Sequence, residues 1–356
     1  MEEQVLDDLT ELLPPLLRSL EGLAFVARYL NPADFGRVMD AVGAPDEPLP
    51  PLRARLDAWP EALADVRAGM AAAADAAIAA FAELRGASES DEGVGAVFRA
   101  LRHLPRAQAA LYPFAQALPP LNRYFLEPDR RDDDALLARL AGAESRPDTG
   151  VLQLAGEPGA RGSVTAYAPE TYSPDTPLPL IVALHGGSGN GAAFLWSWLR
   201  AARAGGAIVV APTATGRTWA LQGEDADTPM LARIVEAVAA QWAVDPGRIL
   251  LTGMSDGGTF SYVSGLEPAS PFTHLAPVSA AFHPMLTQFA DPERLYGLPI
   301  HIVHGALDWM FGIDMAREAR DALSAAGAAV TYAEIDDLSH TWPREAGPMI
   351  LDWLKS

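Results

Sequence analysis

The sequence predicts an α/β protein: a mainly parallel sheet with helices on both faces, preceded by an all-helical N-terminal domain. Three observations carry this. After residue 150, short apolar runs alternate with helical stretches, as buried parallel strands and their crossover helices do. Residues 1–142 lack such runs and place their apolar residues at helical spacing. Between them, AESRPDTG at 143–150 is polar and holds Pro and Gly, which marks a linker. The expected domains are therefore 1–142 and 150–356.

In the first domain, Val5, Leu6, Leu9, Leu12 and Leu13 recur at helical spacing, and Pro14-Pro15 is expected to end or kink that helix. Asn31-Pro32 reads as an N-cap followed by Pro at the first helical position. Residues 45–51 form a proline-rich break. Helices are expected over 60–84, 94–104, 107–118 and 132–140, with a loop at 86–93. Three roles suit this half: a bundle packing on the second domain or on a second copy, a cap over a site, or a separate partner-binding module. Its most aromatic part, from Leu111-Tyr112-Pro113-Phe114 to Tyr124-Phe125-Leu126, is the candidate for contact with a substrate mouth.

In the second domain, strands are expected at 151–154, 163–167, 180–184, 207–211, 249–252, 275–278, 300–304 and 330–335. Helices are expected at 193–203, 229–243, from 258 onward, 313–325 and 346–354, with a turn at Asp245-Pro246-Gly247. Ligands of such sheets bind at the carboxyl ends of the strands.

Composition excludes several classes. A formal net charge of −20 argues against nucleic acid or an anionic membrane surface as partner. The absence of cysteine removes disulfides, thiol nucleophiles and cysteine metal sites. No apolar run reaches spanning length. The acidic start MEEQVLDDL lacks a basic n-region and a signal-like apolar core, so a cytoplasmic protein is expected. A homo-oligomer is compatible with the sequence.

The chemistry gathers at strand ends. Gly253-Met254-Ser255-Asp256-Gly257 follows an apolar run and precedes a helix, the context in which a sharp turn exposes a nucleophilic serine. The N–H of Asp256, at the helix start, then faces a developing oxyanion. His185-Gly186-Gly187-Ser188-Gly189 follows the 180–184 strand. Glycines there can present a second N–H donor, with Gly187 the first choice and Gly186 the fallback. His185 reads as a brace for this loop. A serine nucleophile needs a base, and the base an orienting carboxylate. Of seven histidines, His340 alone follows both Ser255 and Asp308, giving the chain order Ser, acid, His. Asp308 follows the 300–304 strand; Asp314, Asp336 and Asp337 are its rivals. His301 and His304 belong to a strand and His283 to a loop. The expected reaction is acyl transfer from an ester through an acyl-enzyme, with no metal and no cofactor.

LHGGSGNG (184–191), RILLTGMSDGG (248–258), IHIVHGALDW (300–309) and SHTWP (339–343) resemble the α/β-hydrolase serine esterases related to polyhydroxybutyrate depolymerases, feruloyl esterases and the carboxylesterase–phospholipase group. The resemblance covers residues 150–356. It implies the α/β-hydrolase fold and Ser255, Asp308 and His340 as a catalytic triad, acting on a small-molecule carboxylic ester. The same triad also serves lysophospholipases, thioesterases, peptidases and polyester depolymerases, and a hydrolase fold can serve as a non-catalytic binding protein. Trp309, Trp219, Phe282 and Phe311 are the candidate pocket aromatics. Phe194 and Trp196, on an expected helix, read as packing. Arg217 suits either a substrate carboxylate or a salt bridge.

Overall fold

The structure, a computed structural model, describes residues 2–87 and 93–356. Of the loop expected at 86–93, residues 88–92 lie outside the described residues; Gly86 and Ala87 belong to a helix, and Gly93 opens the next. The chain divides into two compact units: Met1–Phe125 with Asp129–Leu137, and Leu126–Pro128 with Ala138–Ser356.

The first unit is helical: α1 (Glu2–Tyr29), α2 (Phe35–Val42), α3 (Leu49–Arg55), α4 (Ala64–Ala87), α5 (Gly93–Leu101), α6 (His103–Leu111) and α7 (Pro119–Tyr124), followed by α8 (Asp134–Ala141) across its boundary. Pro14 and Pro15 lie inside α1 and do not end it. The carbonyls their missing N–H groups leave open belong to Thr10 and Glu11, both exposed, where water can serve them. Meanwhile Leu9, Leu12, Leu13, Leu16, Leu20 and Leu23 bury one continuous stripe. The proline-rich break at 45–51 is shorter than expected, because α3 begins at Leu49 and takes prolines into its first turn, where no N–H is needed. The helix expected at 107–118 is cut at Leu111: Tyr112–Phe114 forms a 3-10 turn around Pro113, and Pro119 opens α7.

Among the described residues the second unit has a sheet of eight strands: β1 (Gly150–Ala155), β2 (Val164–Ala168), β3 (Leu178–Leu184), β4 (Ile208–Pro212), β5 (Val244–Met254), β6 (His274–Val278), β7 (Pro299–Gly305) and β8 (Ala329–Ile335). Its helices are α9 (Gly191–Gly205), α10 (Asp227–Gln241), α11 (Asp256–Gly265), α12 (Met285–Phe289), α13 (Pro292–Leu295), α14 (Ile313–Ala325) and α15 (Ala346–Lys355). The strand order is β1-β2-β4-β3-β5-β6-β7-β8. The β1–β2 and β2–β4 pairs are antiparallel, and the other pairs of this sheet are parallel. This is the α/β-hydrolase arrangement. β5 absorbs the turn expected at 245–247, and the short helices α12 and α13 have no counterpart among the elements expected from the sequence.

The apolar runs explain the sheet. β3 and β4 are buried almost throughout, and Val182, Leu184, Val210, Leu251 and Ile302 join one core with residues of α10 and α14. The chain leaves β3 toward β4 and then returns to β5 on its other side, so the order reverses between β3 and β5. Ligand sites of open α/β sheets form outside the strand ends at such a reversal. The β3–β5 register pairs Leu184 with Gly253. That places the loop after β3 beside the turn after β5.

Candidate active site

β5 ends at Met254 and α11 begins at Asp256, so Ser255 alone makes the turn. Its φ of 57° and ψ of −121° are strained for a residue with a side chain, a cost of about 1–3 kcal/mol. Neighbouring glycines allow the turn. A Cβ on Gly257 would lie 2.3 Å from Leu184 O and 2.5 Å from His185 O, and one on Gly253 would lie 2.5 Å from the Gly257 carbonyl. The start of α11 can therefore press against the end of β3 only with glycine in both places. Ser255 N–H donates to Val278 O at 3.0 Å, tying the turn to β6.

Asp308 sits in the turn after β7, and His340 in the loop after β8. These segments are stitched together: Ala306 N–H donates to Ile335 O (2.9 Å) and Leu307 N–H to Leu338 O (3.0 Å). His340 Nδ1 lies 2.8 Å from Asp308 Oδ2, and its Nε2 lies 3.0 Å from Ser255 Oγ. A carboxylate only accepts, so Nδ1 carries the proton and Nε2 is free to accept from the serine hydroxyl. All three residues are buried, Ser255 at 8% exposure. The structure thus brings the three residues selected by chain order into one hydrogen-bonded line.

Asp308 is more heavily bonded than its sequence position suggests. Oδ1 accepts from Met310 N–H (2.9 Å) and Phe311 N–H (2.8 Å). Besides His340, Oδ2 faces His304 Nε2 at 3.3 Å, and the same Nε2–H donates to Phe311 O at 2.7 Å. Burial alone would raise the Asp308 carboxyl, but the hydrogen bonds from His304 and His340 outweigh it and hold it well below the usual carboxylate range. The sequence marks His304 only as a strand residue; its place four positions before Asp308 is the one available signal. The rival acids stand elsewhere. Asp314 is exposed, paired with Arg317 in the first turn of α14, and Asp336 and Asp337 are exposed.

The loop after β3 is braced from below. His185 Nε2 accepts from Ala214 N–H (3.1 Å), so Nδ1 holds the proton and donates to Gly186 O (2.7 Å). Burial pushes this imidazole down to about 4, so it stays neutral, with both nitrogens engaged. Trp219 Nε1–H donates to His185 O at 2.8 Å. Its indole is 2% exposed and stacks on Phe260, which makes Trp219 a floor under the loop instead of a pocket wall. Gly186 faces the turn: a Cβ there would lie 3.5 Å from Ser255 Cβ. Gly187 faces the side chain of Asp256, whose Oδ2 accepts from Thr218 Oγ1 at 2.7 Å. No motif in the sequence points to Thr218. None points to Ser279 either, which follows β6 in a left-handed conformation (φ 45°) and whose Oγ–H reaches Thr341 O at 3.4 Å.

The remaining aromatics separate by exposure. Phe311 is half-buried with its ring edge-on to His340, centroids 5.2 Å apart. Trp309 is 36% exposed beside the acid. Phe282 is buried against Tyr262, so its place is in the core. Trp196 is buried, and Phe194 is half-buried with its ring edge-on to Trp342, two residues past His340. Arg217 and His283 are exposed, while His301 lies within β7. Among the described residues no cluster of His, Asp and Glu suits a metal ion, and no helix is long and apolar enough to cross a membrane.

No protein-family model matches the chain. It is similar to the bifunctional acetylxylan esterase/xylanase of Neocallimastix patriciarum, 31% identical over 156 residues, which is 43% of this chain and 22% of that protein. It is also similar to the Aspergillus terreus protein named "Probable feruloyl esterase C", 32% identical over 153 residues, 41% of this chain and 54% of that protein. The chain thus spans about a fifth and about half of the length of these relatives. Among solved structures, a ferulic acid esterase superposes with a TM-score of 0.47 at 17% identity, covering 57% of this chain and 95% of that one.

Proposed function

We propose that this chain is a serine hydrolase of carboxylic esters, acting through an acyl-enzyme. One observation carries the reading: Ser255, His340 and Asp308, from three separate strand ends, form a continuous line of hydrogen bonds at the reversal of the sheet. The similarity to an acetylxylan esterase and a feruloyl esterase supports the same reaction class.

The mechanism follows from the geometry. His340 Nε2 takes the Ser255 proton as Oγ attacks the ester carbonyl. Asp308 fixes the imidazole tautomer and stabilises the imidazolium that forms. The N–H groups of Asp256 and Gly187 or Gly186 receive the developing oxyanion at the start of α11, where the helix dipole also favours negative charge. His340 then gives its proton to the leaving alcohol, and activates the water that attacks the acyl-enzyme. Phe311 and Trp309, beside the acid and base, are the candidate pocket surfaces. This chemistry draws only on residues of 150–356. The helical unit is shorter than the 1–142 expected from the sequence: Leu126–Pro128 and the residues from Ala138 onward group with the second unit, so α8 runs across the boundary.

The test is hydrolysis of 4-nitrophenyl esters from acetate to palmitate by wild type and Ser255→Ala. The reading expects activity with a chain-length optimum, lost in Ser255→Ala. Activity that survives the substitution would overturn it.

A further inference from the structure

The residue after the proposed nucleophile carries a charge that ester hydrolysis does not call for. Asp256 contributes its N–H to the oxyanion site, yet its carboxylate lies over the same loop. A Cβ on Gly187 would meet Asp256 Oδ2 at 2.7 Å, Cγ at 3.4 Å and Oδ1 at 3.9 Å. The carboxylate therefore occupies the space over Gly187 Cα that any side chain there would need. Among the described residues its one side-chain hydrogen-bond partner is the neutral hydroxyl of Thr218, 2.7 Å from Oδ2. Among the described residues no cation pairs with it. The nearby Arg161 is engaged with Gly189 O at 3.3 Å on the same loop, and Arg217, next to Thr218, is exposed. Asp256 itself is half-buried.

A fixed, unpaired negative charge at the mouth of an oxyanion site acts on whatever the substrate brings with it. It repels a second anionic group near the scissile carbonyl and attracts a cationic one. We infer that Asp256 is a specificity-determining residue, one that selects neutral and cationic esters and discriminates against esters carrying a carboxylate close to the reacting carbonyl. This rests on the ester-hydrolase reading and adds to it a substrate class. Charges about 7 Å apart at a protein surface, partly screened by salt, exchange enough energy for roughly tenfold effects on relative rates. Thr218 fixes where the charge sits: its hydroxyl donates to Oδ2 and holds the carboxylate on the loop.

Asp256→Asn isolates the charge, because an asparagine oxygen can still accept from Thr218. The measurement is kcat/KM for three 4-nitrophenyl esters of similar acyl length: pentanoate, the mono-ester of glutarate, and 4-(trimethylammonio)butyrate. The readout is a ratio between substrates, so a rate loss common to all three cancels. The ratio of pentanoate to glutarate ester is expected to be about tenfold larger for wild type than for Asp256→Asn. The preference for the cationic ester is expected to fall by a similar factor on the same substitution, and the wild-type discrimination to shrink as salt rises. Asp256→Ser is a second neutral replacement should the asparagine protein misfold. Asp175→Asn, at an exposed turn before β3, controls for the overall charge of −20 and leaves the ratios unchanged. Equal ratios in wild type and both neutral replacements, with pentanoate hydrolysed, would refute the specificity role and leave the esterase reading standing. No hydrolysis of any of the three by wild type would remove both.

Discussion

Replacing Asp308 by Asn is the perturbation whose outcome the structure fixes most tightly. The two carboxylate oxygens have different partners. Oδ1 accepts two backbone N–H groups, from Met310 and Phe311, and Oδ2 faces His340 Nδ1 and His304 Nε2. An asparagine must keep its carbonyl oxygen at the Oδ1 position, because an NH2 group there would confront two backbone donors. Its NH2 then faces His340 Nδ1. To accept from it, the imidazole must move its proton to Nε2, the atom 3.0 Å from Ser255 Oγ. A protonated Nε2 cannot take the serine proton. The template of this exchange in Ser-His-Asp hydrolases loses about 10⁴-fold in kcat, which is roughly 5.4 kcal/mol of barrier. The assay is kcat and kcat/KM on a 4-nitrophenyl ester near neutral pH, with circular dichroism to establish folding. A folded Asp308→Asn protein within tenfold of wild type would refute the assignment of Asp308 and return Asp336 and Asp337 to consideration.

Three further outcomes follow. His304→Leu removes one donor from Asp308 Oδ2; the carboxylate then bonds His340 more strongly, stabilises the imidazolium, and moves the acidic limb of the pH–kcat/KM profile to higher pH. An unmoved limb would make His304 a packing residue only. Gly257→Ala sets a Cβ 2.3 Å from Leu184 O, a backbone atom that cannot move aside, so loss of folded, soluble protein is expected; a well-folded, active protein would contradict the close approach of α11 to β3. His301 is 3% exposed, with no hydrogen-bond partner for either ring nitrogen among the described residues, and lies edge-on to Trp353, which His274 also meets edge-on; burial pushes it down to about 4. The unfolded chain binds this proton from about pH 6.5 downward and the folded one only near 4, so the stabilisation is complete above about 6.5 and falls away across that window, by about 3 kcal/mol in all. His301→Phe should flatten this part of the urea-midpoint profile between neutral pH and the folded-state value, and an identical profile would exclude His301 as a source of acid lability.

How much of this is legible in the sequence depends on whether the cause is local. The turn at Ser255 is readable because three requirements coincide within ten residues: an apolar strand, glycines where two backbones touch, and a helix start. His185 is readable as a brace because a histidine ahead of a glycine loop has little else to do, although its acceptor bond from Ala214 is not foreseeable. Asp308 and His340 are readable from chain order alone. The contacts that escape the sequence are long-range. Nothing near Thr218 announces that its hydroxyl reaches Asp256, 38 positions on. The left-handed turn at Ser279 has no glycine to mark it. Pro14 and Pro15 mislead for a related reason: propensity counts a broken hydrogen bond, while burial of the leucine stripe and the exposure of Thr10 and Glu11 decide what that break costs. Trp219 and Phe282 look like pocket residues because aromatic side chains suit both pockets and cores, and only burial separates the two.

The central claim is that Ser255 is a nucleophile activated by His340. Its most direct test is covalent labelling with a fluorophosphonate, followed by mass spectrometry of the peptide that holds the modified residue. The account predicts a single adduct, on Ser255, that is lost in Ser255→Ala and slowed by orders of magnitude in His340→Ala. An adduct on another residue, or no adduct on folded wild-type protein, would contradict it.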